Sequence, residues 1–403
     1  MRRKKAELST KKWDERLAEW FERIEPKGKW AWLGSTYEAF HTFAFTPKTV
    51  TRRGSHVRDA VDMKRAMIIV VIALIPALLF GMWNIGYQTS LVSNEWPFEL
   101  GTAASFWYCL WFGFLRMLPL IVVSYLVGLG IEFMFAQIRH HEVNEGYLVT
   151  GLIIPMIVPV TTPLWQLALA VAFAVVLGKE VFGGSGMNFL NPALVARAFL
   201  FFSYPTHMSG EGVWIAADLW GTDAIAGATP LAELAAGTRP TASALSMLIG
   251  TIPGSTCETS VIAILLGAIL LLLTGIGSWR IMLSVVLGGG LMGLLFNCFG
   301  SNAYMGLPFY YHYLMGGFMF GAVFMATDPV TSAQTNKGKW IYGLLIGAFA
   351  VLLRVLNPAY PEGMMLSILL MNCFAPLIDH CVVARNIKNR QRRAASERKE
   401  AAL

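Results

Sequence analysis

The sequence predicts an all-α integral membrane protein with about ten transmembrane helices. Of its 403 residues, 55% are hydrophobic and 14% are charged, whereas about a quarter of the residues in a soluble globular protein are charged. Ten apolar stretches follow residue 65, and several are shorter than the roughly 20 residues that cross a bilayer directly. These stretches are 66–85, 105–137, 147–160, 163–182, 188–203, 258–278, 281–299, 309–327, 340–356 and 363–384. The stretch 105–137 is longer than a bilayer requires, which predicts a tilted or broken helix.

The distribution of charge orients these stretches. Sixteen of the 32 Lys and Arg residues lie within residues 1–65, and seven more follow residue 384. If both basic ends are cytoplasmic, the number of spans is even. Ten spans then place four basic residues in inner loops, namely Arg139, Arg280, Lys337 and Lys339. Because Lys and Arg are enriched in cytoplasmic loops, this topology explains the net charge of +7 better than nucleic-acid binding does.

The chain divides into three parts. Residues 1–65 form a cytoplasmic extension, in which Trp13, Leu17 and Trp20 have the spacing of an amphipathic helix. Residues 66–384 form the transmembrane bundle, which includes a long outer loop at 204–257. Residues 385–403 form a basic cytoplasmic tail.

Two segments of the bundle resemble each other. FLNPALVARA at 189–198 and MATDPVTSAQ at 325–334 both place Asn or Asp before Pro, just after a glycine-rich apolar stretch. Such paired interruptions are typical of transporter-like repeats with discontinuous helices. The sequence therefore predicts an internal repeat with broken helices, with a chance resemblance of two helix starts as the alternative.

Charged side chains at membrane depth are costly and indicate a function or a partner. For Lys179 and Arg354 we expect ion pairs, or long side chains that reach the interface, which fix helix packing. Glu132 and Asp379 lack an obvious partner nearby in sequence, and for them we favour a role in an ion pathway. Asp328, in ATDPV, is a third acid at the end of a predicted span.

The segment GKEVFGGSGMNFLNP, residues 178–192, is a glycine-rich turn that leads into a helix. It could hold a phosphate at the start of that helix, but it lacks the Gly-Lys-Ser/Thr ending of a P-loop and no strand precedes it. Its amides, Asn188 and Asn191, could pair with a neutral heterocycle such as an isoalloxazine ring. Capping of the helix is the alternative, and the pattern alone favours it.

DAIAGATPLAEL, residues 223–234, lies in the predicted outer loop and contains Thr229 before a proline. A threonine hydroxyl is a poor nucleophile without a base, and no His or Lys is nearby in sequence. Physical reasoning therefore favours an ordinary surface turn. If Thr229 takes part in chemistry, it does so as an acceptor that another enzyme modifies.

The five cysteines contain no Cys-x-x-Cys pair. Their spacing suits neither a zinc site nor an iron–sulfur cluster within this chain. We expect no metal site and interpret the cysteines as buried, inert thiols.

Taken together, these segments resemble the NqrB/RnfD family, and within it the NqrB-type membrane component of the Na+-translocating NADH:quinone oxidoreductase. The resemblance runs over nearly the whole chain. It is carried, in order, by HVRDAVDMKR (56–65), HEVNEGYLVTGLIIP (141–155), GKEVFGGSGMNFLNPAL (178–194), GATPLA (227–232), IPGSTCETS (252–260), ATDPV (326–330) and FAPLIDH (374–380) with Ile387 and Lys388 beyond it.

The resemblance implies two flavin cofactors. In the family, a threonine in an Asp-x-x-Ser/Thr-Gly-Ala-Thr motif carries FMN through a phosphoester that a separate flavin transferase forms. Asp223, Gly227, Ala228 and Thr229 match this motif, and Ala226 stands where Ser or Thr is usual. Noncovalent riboflavin is implied at Asn188 and Asn191.

Roles for other residues are also implied. Acids in sodium uptake or coupling map onto Glu38, Glu132, Asp328 and Asp379. The glycine region of ubiquinone binding maps onto Gly128, with Leu129 in place of the usual second Gly, and onto Glu132 close by.

The implied function is that of one subunit of a six-subunit complex in the bacterial inner membrane. This complex passes electrons from NADH through covalent FMN and riboflavin to ubiquinone and exports Na+. The chain has no Rossmann signature for binding NADH itself. Three alternatives stay open. They are the RnfD component of an Rnf-type ferredoxin:NAD+ complex, a flavin-free channel or transporter for a small solute, and a structural anchor for partner subunits.

Overall fold

The fold was obtained as a computed structural model. Apart from Tyr37 and Gly54, the residues that it describes lie in the ranges 63–93, 96–99, 101–139, 146–210, 212–216, 227–300, 302–357, 360 and 362–400. Several predictions fall on other residues and lie outside this part of the chain: the amphipathic helix of the extension, Glu38, Asp223 and Ala226.

All regular structure in the described residues is helical, which confirms the predicted fold class. The longer helices and their short neighbours, in chain order, are α1 (Met63–Val92), α2 (Ala103–Arg139), α3 (Gly146–Ile157), α4 (Leu164–Gly178), α5 (Pro192–Ser203), α6 (Pro205–Met208), α7 (Pro230–Ala235), α8 (Ala244–Ile249), α9 (Val261–Leu273), α10 (Trp279–Phe299), α11 (Tyr311–Leu314), α12 (Phe318–Phe320), α13 (Asn336–Leu356) and α14 (Met364–Glu400).

The ten predicted spans fall into three groups. In the part of the chain that is described, six helices are long and apolar enough to cross a membrane: α1, α2, α4, α10, α13 and α14. Three more are apolar but shorter, namely α3, α5 and α9. The stretch 105–137 forms one continuous helix of 37 residues. At 1.5 Å per residue this helix is about 55 Å long, so it is not broken.

The remaining stretch, 309–327, is a broken helix. The turn of α11 ends at Leu314, Gly316 has a φ of +63°, and α12 then continues into the π-helical segment Gly321–Met325. A positive φ is easily adopted only by glycine, so Gly316 makes the interruption possible. The break confirms the prediction of discontinuous helices.

Close helix packing depends on small residues. Helices α10 and α13 are in extensive contact, and a Cβ on Gly288 or on Gly347 would overlap a backbone carbonyl oxygen of the facing helix. In a membrane, where lipid tails are as apolar as leucine, such close backbone approach is a main source of helix association. The resulting core runs through the bundle and holds the two cavities described below.

Candidate functional site

The first cavity, of about 130 Å³, lies between the start of α5 and the end of the broken span. Its polar lining includes Lys179, Asn188, Asn191 and Asp328. The apolar walls come from α1, α3 and α9 and from Phe324. A mostly apolar pocket with a few convergent polar groups is typical of a small-molecule site. We call it the amide cavity.

Asn191 joins the two segments that resemble each other. Its Oδ1 accepts hydrogen bonds from the backbone N–H groups of Ala193 at 3.0 Å and Leu194 at 3.4 Å, so it caps α5. Its Nδ2 donates to Asp328 Oδ2 at 3.4 Å. The capping interpretation is therefore confirmed for Asn191, and the NP and DP motifs meet in space.

Asn188 organises the glycine-rich turn. Its Oδ1 accepts from the N–H of Gly186 at 3.3 Å, and its Nδ2 donates to the carbonyl of Leu190 at 3.0 Å. Both polar atoms of this amide thus bond within its own turn, at the edge of the amide cavity.

Asp328 is surrounded by donors. It accepts from the Val330 N–H at 3.1 Å and from the Thr331 hydroxyl at 3.0 Å, in addition to Asn191. The carboxylate is therefore held in place by neutral groups.

Glu132 and Lys179 form a buried ion pair between α2 and the end of α4. The expectation that Lys179 forms an ion pair that fixes helix packing is confirmed. Glu132, for which the sequence offered no partner, has one. Arg139 adds a second link by donating to the Glu180 carbonyl at 2.7 Å. Together these contacts tie the glycine-rich turn to α2.

Gly128 lies one turn before Glu132 on α2. A Cβ at Gly128 would overlap the phenol of Tyr147, whose hydroxyl donates to the Ser124 carbonyl at 2.9 Å. Leu129 is half-buried and packs against the core. The glycine is thus required for α3 to approach α2, whatever else binds there.

Asp379 contacts a different part of the molecule. Its carboxylate accepts from the backbone N–H groups of Gln334 at 2.6 Å and Thr335 at 3.0 Å, and from the Thr335 hydroxyl at 2.6 Å. Since Thr335 caps α13, Asp379 stabilises the start of that helix. Its assignment to an ion pathway stays a prediction.

Arg354 is fully buried and holds the broken span. Its guanidinium donates to the carbonyl oxygens of His312 at 2.7 Å and Met315 at 3.1 Å. The expectation that Arg354 fixes helix packing is confirmed, and it does so through hydrogen bonds to backbone carbonyls.

Thr229 is half-buried and begins α7. Its Oγ1 accepts from the Ala232 N–H at 3.2 Å. The helix is held by Leu231, whose carbonyl accepts from the Tyr304 hydroxyl at 3.0 Å. The Leu231 side chain also packs so close to Gly316 that a Cβ there would lie 2.5 Å from its Cδ1. Thr229 is therefore fixed against the broken span, not placed on a free surface turn.

Beside Thr229 lies a second cavity, of about 110 Å³, which we call the threonine cavity. Arg197, Glu258, Glu362 and Tyr360 line it. Arg197 contacts both Glu258 oxygens, at 2.8 and 2.9 Å, donates to Ser255 Oγ at 3.2 Å and pairs with Glu362. Sequence reasoning did not predict this cluster, because its members are far apart in the chain.

The cysteines are only partly as expected. Cys109 and Cys257 are buried, whereas Cys298, Cys373 and Cys381 are exposed on the surface of the isolated chain. The expectation that all five are buried was wrong, since much of the surface of a membrane helix is apolar and faces lipid.

These features define a multi-pass membrane protein with two cavities at broken helices. Comparison with known proteins shows that the chain belongs to the NQR2, RnfD, RnfE family, whose model matches residues 50–388. It is 49% identical to the B subunit of the Na(+)-translocating NADH-quinone reductase of Ectopseudomonas mendocina, over 91% of this chain and 96% of that protein. The subunits of the same name from Pseudomonas aeruginosa and Chromohalobacter salexigens are 48% and 45% identical, with similar coverage.

Proposed function

We propose that the chain is the B subunit of a bacterial Na+-translocating NADH-quinone reductase. The observation that carries this proposal is the identity of 45–49% with proteins of that name over more than 90% of both lengths. The chain would then be one of six subunits of an inner-membrane complex. Its termini would face the cytoplasm, and the loop with Thr229 would face outward.

Thr229 is the proposed attachment site of FMN, which the flavin transferase would couple to its hydroxyl through a phosphoester. The residue is half-buried at the edge of the threonine cavity, and α7 is anchored by Tyr304 and Gly316. A covalent tether on a fixed helix keeps an anionic cofactor in an outer loop and sets its position. FMN and riboflavin supply the electron transfer; the protein places and tunes them.

The amide cavity is the proposed riboflavin site. Two amides, a carboxylate and apolar walls suit a heterocycle whose edge has donors and acceptors. Asn191 is held by the α5 cap and by Asp328, so its amide is already oriented. Asn188 would exchange its bonds within the turn for bonds to the ligand.

For ubiquinone, the proposed region is Gly128, Leu129 and Glu132. Two contacts give this region a defined shape. Tyr147 approaches Gly128 closely, and Glu132 forms an ion pair with Lys179. The reaction draws electrons from NADH bound on another subunit.

Sodium export would use the acids Glu38, Glu132, Asp328 and Asp379. An added electron near a carboxylate attracts a cation, strongly where the local dielectric is low. Moving one charge outward against about 100 mV costs roughly 2.3 kcal/mol, so the redox step must deliver at least that much per ion. Asp328 and the two amides line one cavity, which supports a role for this acid in coupling to the proposed riboflavin.

Covalent flavin is tested directly in the complete complex. Membranes containing wild type, Thr229→Ala or Thr238→Ala are denatured and separated on a gel, and flavin fluorescence is recorded for this subunit. We expect fluorescence in wild type and in the Thr238→Ala control, whose exposed hydroxyl donates to the Glu233 carbonyl, and none in Thr229→Ala.

Two results would contradict the proposal. Fluorescence that persists in Thr229→Ala would place the attachment elsewhere. Wild type without a fluorescent band would favour the flavin-free channel or transporter, for which broken helices are equally suitable. The Rnf-type alternative is tested by supplying NADH and quinone, since a reductase of this kind oxidises NADH without ferredoxin.

A further inference from the structure

The side chain of Tyr360 ends in a buried hydroxyl group. The residue is 4% exposed, and its ring packs edge-on against Phe201 with centroids 4.3 Å apart. Among the described residues, the hydroxyl has no hydrogen-bond partner. Burying a hydroxyl without a partner is unfavourable, and the large majority of buried polar side-chain atoms have one.

The hydroxyl belongs to a residue that lines the threonine cavity. The volume of about 110 Å³ is several times the roughly 10–15 Å³ that a single water needs by the same kind of measure. The wall also includes Trp214 and Phe201, whose rings provide apolar surface. An unpartnered donor in such a cavity indicates a ligand with an acceptor.

The charged residues of the wall are already paired. Arg197 is held by Glu258 and Glu362, and it also contacts Ser255 Oγ. Gly317 allows the broken span to approach the Glu258 carboxylate closely, since a Cβ at this position would lie 2.6 Å from Glu258 Oε1. Because these groups hold one another, the buried donor that stays without a partner among the described residues of this wall is the Tyr360 hydroxyl.

A ligand attached to Thr229 would be anchored in the wall of the threonine cavity. Thr229 lines it together with Tyr360, and the Tyr304 bond to Leu231 fixes the helix that begins there. The ribityl chain of FMN would let the ring reach inward from the phosphoester.

We propose that Tyr360 positions the flavin carried by Thr229, by donating a hydrogen bond to the polar edge of its ring. This inference rests on the proposed function. A hydrogen bond to a charged acceptor is roughly twice as strong as one between neutral groups. The donor therefore stabilises the reduced, more electron-rich ring relative to the oxidised ring and raises its midpoint potential.

The test is a redox titration of the complete complex, followed by absorption. The difference between wild type and Thr229→Ala isolates the flavin at this site. Tyr360→Phe removes only the hydroxyl. We expect the equilibrium to shift about tenfold toward the oxidised flavin, which lowers the potential by about 30 mV for a two-electron couple.

A matched control is Tyr342→Phe. Tyr342 is also buried, but its hydroxyl donates to Asn372 Oδ1 at 2.6 Å, so its removal should leave the potential of this flavin unchanged. If flavin is attached at Thr229 and Tyr360→Phe has the wild-type potential, the inference is wrong while the attachment stands. If Thr229→Ala keeps its covalent flavin, the proposed attachment at Thr229 fails instead.

Thermal stability gives a second, independent readout. In the Thr229→Ala complex, which lacks the flavin at this site, Tyr360→Phe removes an unpartnered hydroxyl and should leave the melting temperature unchanged or raise it. In the flavin-loaded complex the same substitution breaks a hydrogen bond and should lower the melting temperature. Equal effects in both backgrounds would overturn the inference.

Discussion

Removing the ammonium of Lys179 alone should destabilise the fold far more than removing it together with the Glu132 carboxylate. The two side chains are 5% and 4% exposed, so neither charge is well solvated. Taking away one partner of a buried ion pair costs about 3–5 kcal/mol, because the other charge stays in the interior. Replacing both with neutral groups of similar size is often close to neutral.

The assay compares Lys179→Met, Glu132→Gln and the double variant in the complete complex. Unfolding is followed by thermal melting in detergent. We expect each single variant to lose several kcal/mol and the double variant to lie within about 1 kcal/mol of wild type. If the double variant is instead as unstable as the sum of the two single variants, the pair contributes no coupling and the reasoning is refuted.

The same set of variants separates structure from ion transport. If Glu132 is a ligand on the sodium pathway, the double variant is stable but has a weaker Na+ affinity. Sodium uptake into vesicles measures this. Wild-type affinity in the stable double variant would remove Glu132 from the pathway and leave it as a structural partner of Lys179.

Two further predictions concern residues with close contacts. Gly128→Ala places a methyl group on the Tyr147 phenol, so it should lower the free energy of unfolding by about 1–3 kcal/mol and raise KM for ubiquinone. The control Gly130→Ala has no atom within 4 Å of the new Cβ and should change neither quantity. Equal behaviour of the two variants would refute the steric argument. Asp379→Asn keeps an oxygen that can accept a hydrogen bond from Thr335 but loses the negative charge. The complex should therefore stay folded, while half-maximal activity should require a several-fold higher Na+ concentration. An unchanged Na+ requirement would leave Asp379 as a helix-capping residue only.

The sequence predicted the positions of the apolar helices well, because the hydrophobicity of a segment depends only on its own residues. Each of the ten apolar stretches contains a helix in the structure. The pairing of Asn or Asp with Pro also predicted that helices would be interrupted. The sequence could not predict that Asn191 Nδ2 lies 3.4 Å from Asp328 Oδ2, because 137 residues separate the two side chains along the chain.

The candidate site was predicted only in part, for the same reason. Thr229 was singled out by its family motif, whereas no local pattern in the sequence singled out Arg197. Its partners Glu258 and Glu362 come from two different loops. Tyr360 has no local signal at all: a tyrosine beside prolines in a predicted loop looks ordinary until burial leaves its hydroxyl without a partner among the described residues.

Composition and charge alone determined that this is a multi-pass helical membrane protein, because transfer free energies depend on the residues of each segment and on little else. The family motifs in the same sequence pointed to Thr229 and the two asparagines. Only the tertiary structure decided which charges are paired, where the glycines allow helices to meet, and which cavity Thr229 borders. These depend on contacts between distant segments, and the cost of burying a polar group is fixed by the neighbours that the fold supplies.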